Sequence, residues 1–333
     1  MKYSFVVPIY GDGALARDFC VELETVFRKH LGVEDIAREL ELIFVDDGSR
    51  NDSATIVKKV CDEFAFAKLI VLSRNFGQHI AISAGYRAAR GQYVGMLNVD
   101  QEDHPDQLLV LLEPLERGEF DIVGGLYEKR HVPLLAKTTS YLFNVTLNHL
   151  TGYNQPVNVS TVRVMSRKFI DAYNALAEKS RFIPGLEQWL GFRYGHLLVK
   201  HQKRKVGKSS YNFRRRLRMA QDSVISFSDY PLKMAVKFGL VVVAFGLVLL
   251  VGMIIDKLFF QRFLPGYLST ITAVILLGGI QVMVTGVACL YVGRILAEVQ
   301  GRPLFVVRET VGDLVGEQLA APPRANRDAA LRA

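Results

Sequence analysis

Two apolar stretches in the last third of the chain constrain it most. Residues 234–255 are broken only by Lys237, and residues 268–292 carry no charged side chain. Each has the roughly 20 residues that a helix needs to cross the hydrocarbon core of a bilayer. Pro265 and Gly266 sit in the short connector, so a two-helix transmembrane hairpin over residues 232–293 is expected. The bland alternative, a pair of buried core helices, asks a soluble domain to hide two such runs side by side. Basic residues cluster from Lys203 to Arg218 and recur at Arg294, Arg302 and Arg308. By the positive-inside rule both ends of the hairpin then face the cytoplasm. Ahead of the first run, Leu217, Ala220, Val224 and Phe227 recur at helical spacing behind a basic start. That pattern suits a juxtamembrane amphipathic helix over residues 213–231, lying in the interface.

The first 212 residues read differently. Short runs rich in Val, Ile, Leu and aromatics at residues 3–9, 40–45, 68–72, 93–97 and 121–123 alternate with helical patterns at 14–31, 53–64, 79–89 and 105–117. Alternation of this kind implies crossover units and an α/β domain with a mostly parallel, buried sheet. Ligands of such sheets bind outside the carboxyl ends of the strands. The N-terminus has too short an apolar run for a secretory signal, so this domain is expected in the cytoplasm. Cys20, Cys61 and Cys289 are far apart and read as reduced thiols. Residues 294–333 form a C-terminal cytoplasmic segment whose tail, from about Gly312, is rich in Ala, Pro and charge and is expected to be disordered. With 41 basic and 33 acidic residues the net charge is +8, which fits phosphorylated substrates, anionic lipid or nucleic acid. The basic run abuts a spanning helix, and this disfavours nucleic acid.

Three strand ends carry chemistry. The first ends in Val7-Pro8-Ile9-Tyr10-Gly11-Asp12, where a ring can stack on a base and a carboxylate can accept from it. The second ends in Val45-Asp46-Asp47-Gly48-Ser49, whose adjacent carboxylates can hold ribose hydroxyls or a base edge. The alternative for this loop is a helix cap, a role that suits Asp52 or Ser53. The fourth runs into Asn98-Val99-Asp100-Gln101-Glu102-Asp103. Alternate strand side chains share a side, so Asn98, Asp100 and Glu102 form an oxygen-rich group suited to Mg²⁺ or Mn²⁺ on a diphosphate. A solvated acidic loop capping the helix from Pro105 is the competing reading.

These segments, with Arg74-Asn75-Phe76-Gly77-Gln78, Arg163-Val164-Met165-Ser166-Arg167, Arg181-Phe182-Ile183-Pro184-Gly185, Gly207-Lys208-Ser209-Ser210-Tyr211 and Tyr291-Val292-Gly293-Arg294, resemble glycosyltransferase family 2. The likeness is to its polyprenyl-phosphate branch, of the GT-A fold. That resemblance implies transfer of a sugar from a nucleotide-sugar, UDP-linked by analogy, to a polyprenyl phosphate at the inner membrane, for cell-envelope glycan assembly or modification. It implies that Pro8, Tyr10, Asp12 and Asp46 hold the base and ribose. Asp100, with Glu102 and Asn98, would hold the metal. Arg130, Arg204 and Ser209 would face the diphosphate or the lipid phosphate, with Asp100, Arg130 and Arg204 central to catalysis. Asp47, Gln78, Arg181 and Tyr211 complete the substrate set. The chain departs from the family at Asn98, where an aspartate is usual, and around Asn158, where an acidic residue is frequent. Two rival readings are a processive polysaccharide synthase and a non-catalytic scaffold or lipid-phosphate binder. The synthase lacks its chain-gripping Gln-x-x-Arg-Trp motif, and the lone Trp189 sits in Glu187-Gln188-Trp189-Leu190 instead. His79, His104 and His131 are expected to be structural, and a homo-oligomer is compatible with so thin an anchor.

Overall fold

The computed structural model describes residues 1–32, 35–100, 104–127, 156, 158–199, 230–259 and 266–314. They fall in two compact units. The first is built on one eight-stranded sheet in the order β7-β5-β6-β4-β1-β2-β3-β8. Its strands are β1 (Tyr3–Ile9), β2 (Leu40–Asp46), β3 (Ala67–Leu72), β4 (Tyr93–Met96), β5 (Ile122–Tyr127), β6 (Val159–Ser166), β7 (Tyr194–Val199) and β8 (Val307–Val311). β4, β1, β2 and β3 are parallel neighbours and β7 runs parallel to β5, whereas β6 and β8 pair antiparallel. The expected α/β class with a mainly parallel sheet is therefore observed.

Its helices are α1 (Ala16–Leu31), α2 (Ser53–Glu63), α3 (Gln78–Ala88), α4 (Asp106–Glu116), α5 (Arg167–Ala175) and α6 (Ile183–Trp189). Local chemistry explains α1 well. Phe19, Cys20, Leu23 and Phe27 recur at helical spacing and are buried against the sheet. Arg28, Lys29 and His30 fill the last turn, where cations suit the helix dipole. Gly32 then ends the helix at φ 63°, its N–H bonded to Arg28 O at 3.0 Å. Helix α3 lies close on the sheet, because a Cβ at Gly85 would stand 2.2 Å from Val6 Cγ1. Only glycine allows that approach.

β2 is buried along its whole length, although it carries Glu41. That carboxylate takes hydrogen bonds from Lys68 Nζ (2.6 Å), Ser4 Oγ (2.5 Å) and the Arg90 N–H (2.7 Å). Burial pushes the Glu41 carboxyl up, and these donors outweigh it, so the group is held below the usual range.

The C-terminal segment adds an element that the sequence reading did not name. Beyond the last apolar run the chain returns to this unit as β8, antiparallel to β3. Lys58 Nζ meets Glu309 at 2.5 Å, and Arg90 donates to the Asp313 carboxylate and carbonyl. The described residues reach Leu314; the rest of the tail, expected to be disordered, lies outside them.

The second unit contains α7 (Tyr230–Phe259) and α8 (Tyr267–Val299), which pack on each other. Both expected apolar runs are helical and longer than their apolar cores. Among the described residues one segment, Leu277–Val299, is long and apolar enough to cross a membrane, with mean hydropathy 1.7 and none of it buried. The amphipathic stretch expected at 213–231 lies almost wholly outside the described residues.

Candidate active site

Strand order places the carboxyl ends of β4, β1 and β2 side by side, with Ile9 opposite Asp46 and Val6 opposite Met96. The three loops singled out in the sequence thus meet at one edge. Tyr10 stands there 48% exposed, and Asp12 is exposed while its carbonyl accepts from Leu15 N (3.1 Å). Pro8 is half-buried. Gly11 N donates to Ser49 Oγ (2.9 Å) and Asn51 Nδ2 to Gly11 O (2.9 Å), so the first two loops are stitched together.

The adjacent aspartates divide into two environments. Asp46 is fully buried; its Oδ1 accepts from Ser49 N (2.9 Å) and Ser49 Oγ (2.5 Å), and its Oδ2 is buried with no partner. A buried acceptor without a donor is costly and calls for an explanation such as an absent ligand. Asp47 points its carboxylate at the next loop. Its Oδ1 accepts from Phe76 N (2.7 Å) and its Oδ2 from Gly77 N (2.9 Å). Burial pushes the Asp47 carboxyl up, and these two amides pull it partly back. Gly48, at φ 66°, passes so near that a Cβ would lie 2.4 Å from Arg74 C. Asp47, expected among the substrate ligands, thus has both oxygens engaged as a clamp on the Arg74–Gly77 turn, from which α3 departs.

Helix α3 opens with Gln78, whose Nε2 donates to Asn98 Oδ1 (3.1 Å); Asn98 Nδ2 donates to Thr161 Oγ1 of β6 (2.9 Å). Asn98 is therefore held from both ends, in a network that an aspartate could not make with Thr161 in the same donor role. Asp100 follows, half-buried, past the end of β4. Among the described residues no three His, Cys, Asp or Glu side chains gather as a metal cage. Magnesium commonly binds through one or two carboxylates plus substrate phosphates, so Asp100 fits a hard cation of that kind.

Two of the three singled-out histidines are described. His79 stands edge-on to Phe182 at 5.8 Å, and burial drives its imidazole down to about 4, so it is neutral at pH 7. His104 lies between Asp106 (2.9 Å) and Glu22 (3.6 Å). Arg181 stacks on Tyr173 of α5, 5.3 Å from its ring centre. Glu102, Arg130, Arg204, Ser209, Tyr211 and His131 lie outside the described residues. Sequence reading missed Ser49, Asn51 and Thr161. The first is readable from its three-residue spacing to Asp46, but Thr161 meets Asn98 only through the fold.

The folded chain thus carries a buried acidic edge on an α/β sheet, with an exposed aromatic ring beside it. A profile of Glycosyl transferase family 2 matches residues 4–173, and the chain belongs to that family. It is 30% identical over 313 residues to the uncharacterized glycosyltransferase YkcC of Bacillus subtilis, covering 94% of this chain and 95% of that one. It is 29% identical over 314 residues to an undecaprenyl-phosphate 4-deoxy-4-formamido-L-arabinose transferase of Proteus mirabilis, covering 93% and 94%. Among solved structures, glucosyl-3-phosphoglycerate synthase from Mycobacterium tuberculosis, in complex with Mn²⁺, UDP-glucose and phosphoglyceric acid, superposes with TM-score 0.48 at 16% identity, covering 67% of this chain and 77% of that one.

Proposed function

We propose that this glycosyltransferase moves a sugar from a UDP-linked donor to the phosphate of a polyprenyl lipid, undecaprenyl phosphate in the first instance, with inversion at the anomeric carbon. The observation that carries the reading is Asp46, a fully buried carboxylate with one oxygen fixed by Ser49 and the other open. An open buried acceptor suits the ring N–H of a base, and the exposed ring of Tyr10 beside it suits stacking. The acceptor assignment is supported by relatives named as undecaprenyl-phosphate transferases that align over 93% of the chain. It is also supported by α7 and α8, which expose Phe245, Val248, Phe259, Val282 and Val299. Faces so apolar suit lipid rather than water, and two crossings would form the anchor at the inner membrane.

A lipid monophosphate needs no general base, because its second pKa is roughly 6 and its oxygen is already anionic near neutral pH. Two phosphorylated substrates do need positive charge between them. Asp100 is the residue that would hold Mg²⁺ or Mn²⁺, with Asn98 and Glu102 as its sequence neighbours. When bound, the cation would offset charge on the departing nucleoside diphosphate. Arg130 and Arg204, implied by the family resemblance, would add to that offset. Asp47 holds the Arg74–Gly77 turn, and Asn98 ties that turn to β6 through Gln78 and Thr161. The test is a donor screen with polyprenyl phosphate, reading the lipid product by mass and the released nucleotide. Donor binding without nucleotide release, for every donor tried, would replace transfer with the scaffold reading.

A further inference from the structure

Where α5 packs on α3, two arginines come without an acid. Residues four apart share a helix face, so Ser83 and Arg87 of α3 lie one turn apart. Helix α5 packs there. Tyr173 Oη lies 2.8 Å from Ser83 Oγ, and Asn174 Nδ2 donates to Tyr86 O at 3.1 Å. The chain leaving α5 folds back over this contact. Arg181 stacks its guanidinium on the Tyr173 ring at 5.3 Å and donates from Nη2 to Leu176 O. It is 7% exposed, and its Nε and Nη1 are buried without a partner. Arg87 comes from the helix side, half-buried, its guanidinium 5.3 Å from the Phe305 ring. Burial, and then the positive charge of Arg181, holds Arg87 below the usual guanidinium range.

Among the described residues no carboxylate lies within ion-pair distance of either arginine. The same domain shows what it does with a fully paired cation. Arg163 is buried too, and Glu187 takes its Nη1 with both oxygens at 2.6 and 2.7 Å. Arg181 keeps two buried N–H groups unanswered beside the positive charge of Arg87, and an anion between the two guanidiniums would offset both costs. A group of two negative charges and several acceptor oxygens answers both needs, and guanidinium forks match phosphate geometry.

We infer that Arg87 and Arg181 together form a site for a phosphate group, on a lipid headgroup or free in solution, beside the α3–α5 contact. Arg181 is among the substrate residues that the family resemblance implies, so a lipid source rests on the proposed function; capture of free phosphate does not.

The experiment uses the full chain in nanodiscs, without donor or metal, and follows the thermal midpoint by calorimetry. Inorganic phosphate is titrated at constant ionic strength against sodium chloride, and in parallel phosphatidylcholine discs are compared with and without polyprenyl phosphate. The expected result is a saturable rise with at least one probe. A rise with phosphate alone assigns free phosphate, and one with the lipid alone assigns the headgroup. Arg87→Gln should weaken the apparent affinity about tenfold or more, while UDP binding stays unchanged. Arg87→Lys should retain part of the rise. Should Arg87→Gln not fold, Arg181→Lys takes its place and should weaken binding likewise. No rise with either probe, a rise matched by chloride, or one indifferent to the charge at Arg87 overturns the site.

Discussion

Asp46 and Asp47 are neighbours in sequence with the same side chain, yet one oxygen of the first is left open while both oxygens of the second close a turn. Asp46→Asn should therefore weaken donor binding about 10- to 100-fold, the equivalent of a lost charge-assisted hydrogen bond. Titration calorimetry with UDP reads this directly, and unchanged affinity would remove Asp46 from the base site. His79 makes a different prediction. Its folded pKa, about 4, lies below the unfolded value near 6.5. The unfolded chain therefore binds the extra proton first, and the contribution of His79 is fully present above pH 6.5 and lost as pH falls toward 4. His79→Leu should flatten the stability profile across that window in denaturant titrations. A transferase rate that titrated with His79 between pH 6 and 8 would contradict its neutral, structural role.

At the scale of elements, the buried contact among β2, β3 and the turn before β4 is held by Glu41. Its carboxyl is depressed in the folded state, so its contribution is present above the unfolded value near 4.3 and lost as pH falls through the lower folded value. Glu41→Gln should shift the acid-unfolding midpoint upward and cost about 3–5 kcal/mol at neutral pH, since Lys68 is left buried with its charge unanswered. Chemical denaturation at pH 7 and an acid titration check both halves. Helix α3 offers a second case. Gly85→Val places carbon where Val6 and Val45 already stand, and overpacking of this kind typically costs about 1–3 kcal/mol. Because α3 begins at the turn that Asp47 clamps, the same substitution should also raise the donor KM; stability loss with an unaltered KM would separate the helix from the site.

At the scale of the whole molecule, the chain does not end at its apolar helices. Residues 303–314 belong to the first unit, where Val306 O accepts from Ser73 N (2.9 Å) and Phe305 is buried under Arg87. Removing everything after residue 302 should bare the edge of β3, lower the thermal midpoint and promote association, because an open strand edge pairs with other chains. Light scattering and calorimetry on the truncated protein test this; a monodisperse protein of unchanged midpoint would make β8 dispensable.

The five leading strands, four leading helices and three chemical loops were legible along the chain, since period, caps and turn residues act between positions a few residues apart. The two apolar helices were legible for the same reason. Three things needed the folded chain: the return of β8 to β3, the division of work between Asp46 and Asp47, and the tie from Gln78 through Asn98 to Thr161. Each includes at least one partner from about 20 to more than 200 residues away in sequence. No local pattern encodes such a pairing; it exists only once the sheet has set its strand order and brought the loops to one edge.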